Sequence, residues 1–115
     1  MKIRINIDGT TAAAVLDDNA VARDLSSLLP LSLTFADYAN SEKIAYLPRK
    51  LSTKDAPAGS DASVGDIAYY APWGNLAIFY KAAPYAKGLV HLGRLTSGVE
   101  PLTESRPLKV TIEQM

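Results

Sequence analysis

At 115 residues, with 48% apolar and 21% charged side chains, the chain has the size and balance of one globular domain. Twelve basic against 12 acidic groups leave no net charge, which excludes the basic footprint of a general nucleic-acid binder, and the absence of cysteine excludes disulfides. No apolar run approaches the ~18 residues of a membrane span, and residues 1–16 alternate instead of forming a continuous signal-peptide segment, so a soluble, cytoplasmic protein is expected.

Lys2-Ile3-Arg4-Ile5-Asn6-Ile7 sets three isoleucines against Lys2, Arg4 and Asn6, the two-residue period of a half-buried strand. Asp8-Gly9 suits the positive backbone dihedrals of a two-residue hairpin turn, and extended character resumes from Thr10 to Leu16. At Asp17-Asp18-Asn19 the period turns helical. Val21, Leu25, Leu28 and Leu29 recur on one face, the acidic pair is placed to cap the helix, and Pro30 stops it.

Past Pro30 short extended pieces are expected at about 31–35, 44–47, 66–71, 76–81, 89–95 and 108–113, separated by turn chemistry. Residues 52–63 are small and polar and predict a long surface loop within one domain spanning 1–115, since about 50 residues on either side would make a marginal domain. Leu108, Val110 and Ile112 alternate with Lys109, Thr111 and Glu113 just as the first strand does, so the chain ends are expected to pair. Seven or eight short strands with one main α-helix place the chain in the mainly β class, as a closed barrel.

Three blocks, Ile44-Ala45-Tyr46-Leu47-Pro48-Arg49-Lys50-Leu51, the stretch from Gly65 through Pro72-Trp73-Gly74-Asn75 to Lys81, and Gly88 to Leu95, resemble the small bacterial cyclophilin-like proteins of uncharacterised function. The resemblance runs through almost the whole chain, including the helical segment from Asp17 to Pro30, and implies a closed, cyclophilin-like β-barrel. It does not imply an activity. The prolyl isomerases among the cyclophilins carry a Phe-His-Arg segment followed by Gly-Phe and Gln-Gly-Gly-Asp stretches. Here the only phenylalanines are Phe35 and Phe79, and neither precedes a histidine. No catalytic residue is carried over.

His91 is the only histidine, and without cysteine or a second histidine a typical zinc set is missing, so a structural role is expected for it. Asp17 and Asp18 read as helix caps, and Asp66, directly after Gly65, as a turn carboxylate bonding local backbone. The glycines at 88, 93 and 98 surround a strand and make no phosphate-cradling loop, so no cofactor and no metal are expected.

The aromatic residues carry more. Tyr69, Tyr70, Trp73, Tyr80 and Tyr85 crowd into seventeen residues, and tyrosine and tryptophan suit a groove that stacks a flat or proline-like group. Alternation sends Ile67 and Tyr69 to one side of a strand and Tyr70 to the other, so part of the set belongs to packing. Trp73 sits in a turn, where a large aromatic has fewer core neighbours, and Asn75 adds a donor and an acceptor at the same rim. Tyr46, Arg49, Trp73, Asn75 and Tyr85 form the expected ligand site, with a surface ion pair as the plain alternative for Arg49. The expected function is binding of a small molecule or an extended peptide. The alternatives are weak prolyl isomerase activity through Arg49 or Arg94, and a homo-oligomeric or accessory interaction protein.

Overall fold

The computed structural model describes residues 1–115 and contains ten strands, one α-helix and one 3-10 turn. The strands are β1 (Lys2–Ile7), β2 (Thr10–Leu16), β3 (Leu31–Tyr38), β4 (Glu42–Tyr46), β5 (Gly59–Ala62), β6 (Asp66–Tyr70), β7 (Asn75–Phe79), β8 (Ala83–Lys87), β9 (Leu89–Leu95) and β10 (Leu108–Gln114). Eight of them close an antiparallel barrel in the order β1-β10-β3-β4-β7-β6-β9-β2, while β5 and β8 pair as a separate ribbon. The chain ends pair as expected, with Ile5 opposite Ile112.

One-sided alternation fills the barrel. Ile3, Ile5, Ile7, Val110 and Ile112 point inward and are buried, joined by Phe35, Tyr69, Leu76, Ile78 and Leu92. The ends are plugged separately. At one end α1 (Ala20–Ser26) buries Val21, Ala22 and Leu25 in the core, and Gln114 at the end of β10 donates to its Ser26 carbonyl at 3.2 Å. At the other end the 3-10 turn Glu100–Thr103 inserts Leu102 just before β10 begins. Closure removes the exposed sheet edges that an open sheet of this length would present.

Several expected details are corrected. The helix is capped by Asn19, whose Oδ1 accepts from the Ala22 amide at 2.8 Å, and not by the acidic pair: Asp17 turns to His91 and Asp18 to Arg23. An amide side chain one residue later reaches the free N–H group without spending a charge. The helix also ends at Ser26, so Leu28 and Leu29 pack from the turn that follows.

The segment 52–63, expected as loop throughout, contains β5, whose polar and small residues gave no strand pattern because it pairs only with β8 outside the barrel. That ribbon runs beside β9, and its Ala62, Ala83 and Ala86 side chains cover the outer face of β6 and β7. Both faces of these two strands are therefore covered, which explains their nearly continuous burial: Ile67, Tyr69, Leu76 and Ile78 face the barrel core, while Ala68, Ala77 and Phe79 join Ala62 and Leu89 in a second, outer cluster.

A bulge alters the faces of β9. Gly93 pairs with Ile67 but His91 pairs with Ala68, so Leu92 is the extra residue. Simple alternation groups Arg94 with Val90 and Leu92. The bulge instead puts Arg94 on the outside, opposite Asp66, with His91 on the same outer face.

Candidate functional site

The outer cluster opens into a cavity of about 320 Å³ between the barrel wall and β8. The register dictates its floor. Along β7, Leu76 and Ile78 point inward, so Asn75, Ala77 and Phe79 must point outward. On the neighbouring strand Glu42 lies opposite Phe79 and Ile44 opposite Ala77, and on β3 Tyr38 lies opposite Glu42. Leu89 of β9 and Tyr70 of β6 continue the same surface, and Ala83, Pro84, Tyr85 and Ala86 of β8 form the facing wall.

Trp73 stands at the rim because of its turn. The amides of Trp73 and Gly74 both donate to the Tyr70 carbonyl, at 3.2 and 2.9 Å, and Gly74 closes the turn at φ +71°, a region that favours glycine. The indole is 45% exposed and meets two tyrosines edge-on: Tyr38 at 5.3 Å between centroids and 89°, and Tyr70 at 5.4 Å and 82°. The Tyr85 ring packs over Gly59 of β5, where an added Cβ would lie 2.4 Å from the Ala86 carbonyl oxygen and 2.7 Å from the ring. Only glycine leaves room for that approach.

Three polar side chains, Asn75, Glu42 and Ser41, break the apolar lining. Asn75 is 1% exposed; its Nδ2 donates to the Leu76 carbonyl at 3.0 Å, which fixes the amide orientation and leaves Oδ1 buried with no donor. Glu42 accepts from the Ser41 hydroxyl at 3.2 Å and has no cationic partner in the protein. Burial pushes its carboxyl pKa above the ordinary value, and the nearby Asp37 charge adds to the rise against the lowering effect of Ser41.

Of the five residues expected at the site, the structure brings together Trp73, Asn75 and Tyr85. Tyr46 lies opposite Asn75 on the same outer face but stands 61% exposed beyond the cavity. Arg49 is turned to the helix, with Nη1 and Nη2 donating to the Asp24 carboxylate at 3.0 and 2.8 Å and Nη2 to the Ser27 hydroxyl at 3.2 Å. The ion pair given as its plain alternative is the arrangement found. Tyr38, Glu42 and Phe79 were not singled out from sequence; extending the outward alternation from Asn75 across to β4 supplies the signal that finds Glu42 and Phe79.

A second cavity, of about 490 Å³, lies between α1 and β9 and is lined by Asp17, Asn19, Lys54, Ser60 and His91 among others. It is larger, but its one histidine is already engaged. Nδ1 of His91 is hydrogen-bonded to Asp17, and Nε2 lies 3.3 Å from Asp66 Oδ1, which Arg94 also approaches at 3.3 Å. Burial pulls the imidazole pKa down, yet the hydrogen bond and charge of Asp17, followed by those of Asp66, outweigh it and hold the pKa above the ordinary value. A ring held between two carboxylates has no free nitrogen to take a substrate proton. The aromatic cavity is therefore the stronger candidate.

The family model described as the cyclophilin-like family matches residues 5–113. A hypothetical protein from Archaeoglobus fulgidus, known from its solution structure, shares the fold at a TM-score of 0.69 and 17% identity, covering 100% of this chain and 95% of that one. No curated protein matches the chain.

Proposed function

The chain belongs to the cyclophilin-like family, and we propose that it is a binding protein that takes a small molecule into the cavity beneath Trp73, with no prolyl isomerase machinery. The observation that carries this reading is the buried Oδ1 of Asn75, left without a donor in the wall of a mainly apolar cavity. Leaving such an acceptor unpaired costs about 1–3 kcal/mol, a cost that a ligand N–H or O–H would remove. The cavity volume lies at the lower end of the range for small-molecule sites, ~300–1,000 Å³, and its rim presents aromatic residues with polar handles. Arg49 and Arg94, the two arginines on which an isomerase reading would rest, are both engaged by aspartates, and neither lines this cavity.

Thermal shift against a panel of ring-bearing alcohols, amines and acids tests the reading, repeated with Trp73→Leu. A ligand at a hundred times its Kd adds about 2.7 kcal/mol to the native state, enough to raise Tm by several degrees. The expected result is a stabilisation by at least one member that also changes Trp73 fluorescence and is lost in the variant. Stabilisation that persists unchanged in Trp73→Leu overturns the assignment of the site.

A further inference from the structure

We infer that the ligand of the aromatic cavity is a protonated amine carried on an apolar or aromatic body. The inference rests on the reading of this cavity as a binding site and adds the chemical class of its occupant. The charge and the aromatic rim of the lining favour the ammonium group, and Asn75 calls for a donor besides.

The first is charge. Glu42 is the only charged residue that lines the cavity; no lysine, arginine or histidine faces it. The neighbouring Lys43 points to the other side of β4, where its ammonium group bonds the carbonyls of Glu104 and Arg106 and lies 3.4 Å from Asp37. A carboxylate drawn into an apolar wall without a cation is unfavourable by itself. An ammonium group supplies the missing partner, whereas an anion would be repelled and a neutral ring would leave Glu42 as it is.

The second feature is the polarity of Asn75. One of its two Nδ2 hydrogens goes to the Leu76 carbonyl, and its Oδ1 is the buried polar atom without a partner, so what the residue lacks is a donor. By register Asn75 stands opposite Tyr46, about 13 Å along the strands from Glu42 opposite Phe79, so an N–H or O–H elsewhere on the occupant, and not the ammonium at Glu42, is the group that meets it.

The third is the aromatic rim. Trp73 with the near-perpendicular Tyr38 and Tyr70, and Tyr85 on the facing wall, surround the opening with rings whose faces carry partial negative charge. Such rings attract a cation placed within ~6 Å of a centroid by about 0.5–2 kcal/mol, and tryptophan is the best of them.

Three probes of one shape separate the possibilities: 2-phenylethylammonium, 2-phenylethanol and 3-phenylpropionate, titrated against the whole chain at pH 7 while Trp73 fluorescence is read. The cation is expected to bind about ten-fold more tightly than the alcohol, with the acid weakest. In Glu42→Gln the cation-to-alcohol ratio is expected to fall towards one, with the circular dichroism spectrum reporting that the variant is folded. Equal binding of cation and alcohol, or preference for the acid, overturns the amine assignment while leaving the cavity as a site. Silence from all three at 10 mM overturns both. A ratio that survives in Glu42→Gln at higher ionic strength overturns the role given to that carboxylate.

Discussion

His91 on β9 and Asp17 at the end of β2 are joined by a hydrogen bond through the imidazole Nδ1, 74 positions apart in sequence, and the second ring nitrogen faces Asp66. The bulge at Leu92 brings these groups to one face, and Arg94 completes the cluster from the next outward position. A protonated ring satisfies both carboxylates, so the folded state holds the proton more tightly than the unfolded chain does. A group whose folded pKa is raised adds stability that is complete below the unfolded value of 6.5 and lost as pH climbs through the folded pKa. Stability measured by urea unfolding is expected to decline from about pH 6.5 upwards, and in His91→Gln that decline is expected to disappear. A pH profile of the variant that parallels the parent would contradict the pairing.

Asp24 behaves in the opposite sense. The hydrogen bond from Arg49, then the backbone amide of Ser52, then the arginine charge, against a small opposing effect of burial, bring its carboxyl pKa down to about 2. A depressed folded pKa adds stability above the unfolded value near 3.9, and this is lost as pH falls towards about 2. Because the pair is partly exposed and solvent-screened, Asp24→Asn is expected to cost about 1 kcal/mol at neutral pH and to make the acid transition shallower. An unchanged acid limb would show that Arg49 does not hold this carboxylate in solution.

Lys43 is fully buried at the barrel end closed by the 3-10 turn, where it ties the carbonyls of Glu104 and Arg106 to Asp37. Replacing it by methionine keeps the apolar stem but abandons two carbonyls and a carboxylate. The loss is expected to be about 3 kcal/mol, with hydrogen exchange of the amides at 100–106 accelerated more than those of β1. Uniform acceleration across the barrel would argue against a local tether.

Tyr69 faces the core, and its hydroxyl accepts the Leu51 amide at 3.1 Å in a buried setting. Tyr69→Phe preserves the ring packing and orphans that N–H, at an expected cost of about 1–3 kcal/mol in equilibrium unfolding. A cost below a few tenths would mean that water reaches Leu51 in place of the hydroxyl.

The barrel was legible where one face of a strand is buried and the other wet. β1, β2, β9 and β10 begin where the alternation begins, and the pairing of the two ends follows from their matching patterns. β5 and β8 escaped because a two-stranded ribbon of Gly, Ser, Ala and Pro residues buries too little to impose a period. Of the site, the turn Pro72-Trp73-Gly74-Asn75 was readable from its own chemistry, and the opposite destinations of Tyr69 and Tyr70 from simple alternation. Arg49 was not. Its neighbourhood depends on where the helix docks against the loop after β4, a tertiary relation that leaves no local trace. Nor did the sequence distinguish Asp17 from Asp18, since the histidine that engages the first lies on a distant strand.

The most direct measurement on the binding claim is a two-dimensional amide and indole NMR titration of the 15N-labelled chain with 2-phenylethylammonium. Shifts are expected to concentrate on the Trp73 indole N–H, the Asn75 side-chain amide and the backbone amides of Tyr38, Glu42 and Tyr85, saturating together with one Kd. Shifts that cluster instead around Asn19, Lys54 and His91, or no saturable shift at Trp73 and Asn75, would contradict a binding site beneath Trp73.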